Sequence, residues 1–214
     1  MRTPAFASLL DAPVEVVELL DAGTADALLP AESVQLGDVL DRRRRDFTAG
    51  RHCAHHALER LGVADAPILI GADREPVWPD GLLGSITHCE GYAAAAVARV
   101  DRVGGLGIDA EPHAPLPDGV LRLVADETER DWIGNAADEG ICWDRVLFSA
   151  KESVFKAWFP LTRQWLGFHD AQLTFDPTAG RFRARLLDGG RELDGRYAVM
   201  DGLVLTALVL PRSA

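Results

Sequence analysis

Twice along this chain, helical apolar spacing gives way to a group of short strand-like runs, and that recurrence limits the fold more than any other feature. Residues 36 to 62 carry Leu36, Val39, Leu40, Phe47, Ala54, Leu58 and Leu61 at mostly three- and four-residue steps. That spacing predicts one helix, stopped by Gly62 and open to interruption at Gly50. Pro67 to Gly84 is punctuated by Pro76, Trp78, Pro79 and Gly81 and reads as loop. Strands are expected at Gly84–Thr87, Tyr92–Val100 and Gly105–Ala110. The alanine-rich second run has helical propensity, but glycines and charged turns bound it closely and favour strand. Residues 127–136 and 141–159 predict helices, the latter ended by Pro160. Strands at 173–175, 182–187, 197–200 and 203–210 follow, the last two joined by the hairpin signal Asp201-Gly202. The expectation is an α+β chain of two comparable lobes, 1–104 and 105–214, with a site at their interface.

Composition sets the outer bounds. The chain has 214 residues, 48% hydrophobic and 26% charged, which are ordinary globular proportions. No apolar run approaches the ~20 residues that span a bilayer, and the N-terminus gathers acids where a signal peptide would be apolar. A cytoplasmic location is expected. Cys53, Cys89 and Cys142 form no CxxC and read as reduced thiols. His52, Cys53, His55, His56, His88 and Cys89 are zinc-ligand types, but no familiar ligand spacing is present. His55 and His56, as neighbours, would point apart on a helix, so a structural zinc is disfavoured. A net charge of -11 argues against a general nucleic-acid binder or an anionic membrane partner. Against that background Arg42, Arg43, Arg44, Arg45 and Arg51 face a single Asp46. This local excess is either a focused anion site or a solvated helix face.

Three short constellations carry chemistry. In Gly107-Ile108-Asp109-Ala110-Glu111-Pro112-His113 the two acids stand two apart at a strand end, so they share a face. Two such charges repel unless a proton or cation lies between them, and hard carboxylate oxygens suit magnesium. Taken alone, the pair is more simply read as two solvated acids. In Phe148-Ser149-Ala150-Lys151-Glu152-Ser153-Val154-Phe155-Lys156, Glu152 and Lys156 share a helix face, as in a surface ion pair. The dense aromatic surroundings instead favour Glu152, Lys151 and Lys156 lining a cleft. In Ser85-Ile86-Thr87-His88-Cys89, no G-x-S-x-G elbow supports a hydrolase nucleophile. A histidine beside a threonine at a strand end can instead donate to phosphate, although a lone His is more often structural.

Together and in this order, GSITHCEGYAAAAVA at 84–98, GLGIDAEPH at 105–113 and FSAKESVFKAW at 148–158 resemble the 4′-phosphopantetheinyl transferases. The match is to the two-lobed type that activates surfactin and enterobactin synthetases, and to its actinobacterial relatives. The arginine-bearing helix, REPVWPDG at 74–81 and WLGF at 165–168 support it. The resemblance implies two similar α/β lobes in pseudo-twofold arrangement. It also implies transfer of 4′-phosphopantetheine from coenzyme A to a serine of an apo acyl or peptidyl carrier protein, releasing adenosine 3′,5′-bisphosphate. By that likeness Asp109, Glu111 and Glu152 would bind Mg2+ (or Mn2+), and Glu152 would also act as base, directly or through a bound water. Lys156, assisted by Lys151, would offset phosphate charge. Arg43, Arg51, Thr87 and His88 match coenzyme A phosphate ligands, and Arg74 could replace a loop lysine that several relatives carry. The carriers would be those of polyketide, non-ribosomal peptide or siderophore synthesis, and a monomer is expected. The rivals are another magnesium-dependent phosphate-transfer enzyme and a non-catalytic coenzyme A or carrier-binding module.

Overall fold

A computed structural model describes residues 5–136 and 140–212. The first half contains β1 (Val14–Leu19), α1 (Pro30–Leu36), α2 (Asp41–Arg60), β2 (Leu69–Ile70), β3 (Pro76–Val77), β4 (Leu82–Cys89) and β5 (Tyr92–Arg99). The second contains β6 (Gly105–Pro112), α3 (Val120–Val124), α4 (Glu127–Asn135), α5 (Trp143–Thr162), β7 (Ala171–Asp176), β8 (Arg181–Leu186), β9 (Glu192–Met200) and β10 (Leu203–Leu210). Two antiparallel sheets result, ordered β1-β5-β4 and β6-β10-β9-β8-β7, with β2 and β3 forming a separate small hairpin. The fold is α+β, as the alternation of patterns predicts.

The alanines of β5 make sense once both of its faces are covered. Ala93, Ala95 and Val97 meet Ala49, Cys53, Ala57 and Leu58 of α2, while Tyr92, Ala94 and Ala96 enter a second core. Small side chains let α2 come close on one side without separating the layers on the other. That second core is common to both sheets. Leu106, Ile108 and Ala110 of β6 and Leu205 and Ala207 of β10 meet there, closed by Phe6, Leu9 and Leu10. The third core lies between α5 and the five-stranded sheet, around Trp143, Val146, Leu147, Val154 and Phe182.

Several boundaries differ from the sequence expectation. The helix expected over 36–62 is two helices, because Gly37 takes φ 62°, which ends α1, and α2 starts afresh at Asp41. Gly50 does not interrupt α2. A Cβ there would stand 2.8 Å from Ile86 Cγ2, so the glycine brings the helix close to β4. Pro160 lies inside α5, which runs on to Thr162; the Arg163 amide still donates to the Phe159 carbonyl at 2.9 Å. β1, pairing with β5 along its whole length, was hidden in the acidic N-terminal segment. At the predicted hairpin Asp201 and Gly202 take φ 52° and 76°, as a type I′ turn requires.

Candidate active site

β6 places the acidic pair, and its own glycines place the helix opposite. Gly105, Gly107, Asp109 and Glu111 alternate onto the face turned to α5, while Leu106, Ile108 and Ala110 turn into the shared core. A Cβ on Gly107 would lie 1.9 Å from the Ser153 carbonyl oxygen, so only glycine admits α5 at this distance. The helix answers with Arg145, Ser149, Glu152 and Lys156, spaced four, three and four residues apart along one stripe. Ser149 and Thr206 fix that stripe to β10 through hydroxyl contacts at 2.9 Å.

Asp109 is buried, and Lys156 Nζ donates to its Oδ1 at 2.6 Å and to the Ile108 carbonyl at 3.3 Å. Lys156 thus bridges α5 to β6 instead of forming a surface pair with Glu152. Asp109 Oδ2 is buried with no hydrogen-bond partner. A buried carboxylate oxygen left bare is costly, and a bound cation would relieve that cost. Glu111 Oε2 accepts from Arg145 Nη1 at 2.8 Å, and the same guanidinium donates to the carbonyls of Ala114 and Pro115. Burial, then the charge of Asp109, raises the Glu111 carboxyl above its ordinary range. Glu152 is raised too, first by burial and then by Asp109 and Glu111, against the pull of Lys156. Among the described residues these carboxylates do not form a set with donor atoms all within 4.8 Å of one another. Even so, Glu111 and Glu152, each raised in part by a neighbouring carboxylate, together with the bare buried oxygen of Asp109 fit a divalent cation chemically.

Beside this centre a cleft of about 340 Å³ opens between α2 and α5. Arg43, Arg51, Arg74, His88, Glu152 and Lys156 all line it, so the structure gathers basic side chains and a carboxylate from distant parts of the sequence around one space. Arg51 is 6% exposed and fixed: its Nε donates to the Ile68 carbonyl at 2.9 Å and its guanidinium lies over the Phe47 ring. Burial lowers its pKa to about 10, so it still carries its charge at neutral pH. Arg43 and Arg74 are exposed at the rim, and Arg74 takes φ 68° in the β2–β3 turn. His88, also exposed, is held below its usual value chiefly by desolvation.

Two expected ligands are placed elsewhere. Lys151 is buried; its Nζ donates to Glu129 Oε2 at 2.8 Å and to the Phe168 carbonyl at 2.7 Å. Successive helix positions differ by about 100°, so Lys151 points toward α4 when Glu152 points into the cleft. Thr87 faces β6 rather than the arginines. Its Oγ1 accepts from the Ala110 amide at 2.9 Å and donates to Asp109 Oδ1 at 3.3 Å.

Some contributors had little or no signal in the sequence. Glu32 of α1 is fully buried, accepting from the Ile68 and Leu29 amides and from His55 and lying 3.8 Å from Arg51. Nothing local marks it. Arg145 was findable, since it stands two turns before Glu152 on the same stripe. Ser85 joins β4 to β6, its Oγ accepting from the Ile108 amide at 3.1 Å.

Basic groups around a cleft, next to a carboxylate centre suited to a divalent cation, fit an enzyme that acts on phosphate-linked groups. Comparison with known proteins names the family. The model for the 4'-phosphopantetheinyl transferase N-terminal domain matches residues 31–98, and that for the 4'-phosphopantetheinyl transferase superfamily matches residues 105–207. The chain is 47% identical to the 4'-phosphopantetheinyl transferase Svp of Streptomyces mobaraensis over 95% of its own length and 84% of the relative. It is 48% identical to the transferase PptT of Mycobacterium tuberculosis, over 85% and 86%, and 45% identical to Npt of Nocardia iowensis, over 94% and 97%. The chain belongs to the 4′-phosphopantetheinyl transferase superfamily and is an enzyme that transfers phosphopantetheine to carrier proteins. Membership implies coenzyme A as substrate and a divalent metal.

Proposed function

We propose that Asp109, Glu111 and Glu152 hold magnesium, with manganese an acceptable replacement, and that the adjoining cleft holds the phosphates of coenzyme A. The bare, buried Asp109 Oδ2 is the observation that carries this reading. Bound there, the cation would neutralise charge on the pyrophosphate. Arg51, rigid and desolvated, grips one phosphate, while Arg43, Arg74 and His88 close on the others from the rim. Glu152 takes the proton of the carrier serine. The serine oxygen forms its bond to the phosphorus that carries pantetheine, the pyrophosphate P–O bond breaks, and adenosine 3′,5′-bisphosphate leaves. Lys156 offsets the charge that develops there.

The two halves, 1–104 and 105–214, act as lobes: the first supplies the phosphate ligands and the second the carboxylates and α5. Both halves of the site lie in one chain, which supports a monomer. Among the described residues no helix is long and apolar enough to cross a membrane, and the proposed location is the cytoplasm. The acceptors are carriers of polyketide, non-ribosomal peptide or siderophore synthases. Carrier proteins are usually acidic, and at a net charge of -11 the enzyme cannot attract them mainly by long-range steering. Apolar contacts and local arginines must dominate. Affinity for a carrier should change little between low and physiological salt, and a collapse over that range would refute the point.

The assay mixes enzyme, coenzyme A, magnesium and several apo carriers and weighs the carriers by mass spectrometry. A phosphopantetheine gain is expected, abolished by chelator and reduced at least ~100-fold by Glu152→Ala. No gain on any carrier would refute the proposal.

A further inference from the structure

The histidines of α2 do not assemble with Cys53. Cys53 Sγ turns inward to the Ala93 carbonyl, and His55 is committed to Glu32. His52 and His56, one turn apart, instead share a face and meet edge to face with ring centroids 4.4 Å apart. Asp26, from the segment before α1, reaches between them. Its Oδ2 lies 3.1 Å from His52 Nδ1 and 3.1 Å from His56 Nε2. Among the described residues these three form the one His, Cys, Asp and Glu group whose donor atoms lie within 4.8 Å of one another.

The hydrogen-bond pattern sets which ring nitrogens are open to a metal. The Asp26 amide donates to His52 Nδ1 at 3.0 Å, so that nitrogen is an acceptor and bears no hydrogen. His56 Nδ1 lies 2.9 Å from Glu59 Oε2. With its proton on Nδ1 the neutral ring has Nε2 free to ligate, whereas a protonated ring donates to Glu59 and Asp26 alike. A divalent cation that displaced the His56 proton would meet two imidazole nitrogens and a carboxylate oxygen, all within 4.8 Å of one another. Two imidazoles and a carboxylate suit zinc, and a carboxylate behind one histidine is the usual outer partner of a zinc ligand.

We propose that Asp26, His52 and His56 form a zinc site separate from the catalytic carboxylates, with His52 exchanging its amide bond for the metal. The ion would clip the segment before α1 to α2. That segment leads into the helix bearing Glu32, which lies against Arg51, so zinc would stiffen the phosphate cleft from behind. Transfer itself would not depend on it.

Cobalt(II) provides a visible probe. With excess magnesium present, the metal-stripped full chain should take up about one equivalent of Co2+ with d–d absorption of low-coordinate intensity, and zinc should displace it. Zinc should also raise the melting temperature, because only the folded chain presents the site. Asp109→Asn should leave both responses intact. His56→Gln should lose both while keeping transfer activity with magnesium, and Asp26→Asn, which leaves the helix sequence untouched, should do the same. The proposal is overturned if the wild-type chain takes up no Co2+ and zinc does not shift its melting. It is equally overturned if Asp26→Asn retains the ion, or if Asp109→Asn loses it. A proton on His56, the competing filler, predicts the first of these outcomes.

Discussion

At the scale of single residues, the site depends on groups whose charges are expensive. Glu32 shows how the expense is met. Burial alone would push its carboxyl up, but His55 and the amides of Ile68 and Leu29 outweigh burial and leave it below the ordinary value of 4.5. A depressed carboxyl stabilises the fold above its unfolded pKa and loses that contribution as pH falls through the folded value. Chemical denaturation at descending pH should therefore show stability falling through and below pH 4.5, and Glu32→Gln should flatten that slope. The same substitution should cost about 1–3 kcal/mol near neutrality. It should also weaken coenzyme A binding through the loosened Arg51. A KM rise larger than the fall in kcat would separate this from general damage. Asp109, Lys156, Arg51 and His88 could be picked from the sequence because each belongs to a short pattern. Glu32 could not, since beyond the nearby Leu29 amide its hydrogen-bond partners His55 and Ile68 lie 23 and 36 residues away.

At the scale of elements, β6 and α5 form a matched pair. The strand supplies glycines where the helix must touch and acids where it must leave room. Gly107→Ala forces a Cβ against the Ser153 carbonyl. Overpacking of this kind typically costs about 1–3 kcal/mol. Activity should fall more than that loss implies, because Glu152 and Lys156 move with the backbone that the new methyl displaces. Denaturant midpoints measured beside single-turnover rates test this, and a stable, fully active Gly107→Ala enzyme would contradict it. The G-x-G-x-D-x-E alternation is readable in advance as one strand face. Which element fills that face is not readable, since 46 residues separate Gly107 from Ser153. The split of residues 36–62 into two helices is a miss of another kind. Apolar spacing continues through Leu36, Val39 and Leu40, but Gly37 adopts a conformation that an L side chain resists.

At the scale of the whole molecule, two sheets with separate hydrogen-bond ladders are joined where β4 runs beside β6. Side chains do the joining: Ser85 and Thr87 accept the Ile108 and Ala110 amides that no strand neighbour satisfies. Thr87→Val should strand a buried amide and free Asp109 Oδ1 from one donor, costing about 1–3 kcal/mol and lowering the transfer rate. Thr87→Ser keeps the hydroxyl and should recover most of both, as melting temperature and rate would show. The sequence by itself determined the α+β alternation, the acidic strand, the basic helix and the family, because each is written in local periodicity or a short motif. Only the tertiary structure decided which residues share the cleft. It turned Lys151 into a buried ion pair, gave Thr87 to the seam between the sheets, and set Arg145 on Glu111. It also brought Asp26 between His52 and His56. Those assignments rest on which face of one element meets which face of another, and such meetings are fixed by packing across long separations that no local pattern records.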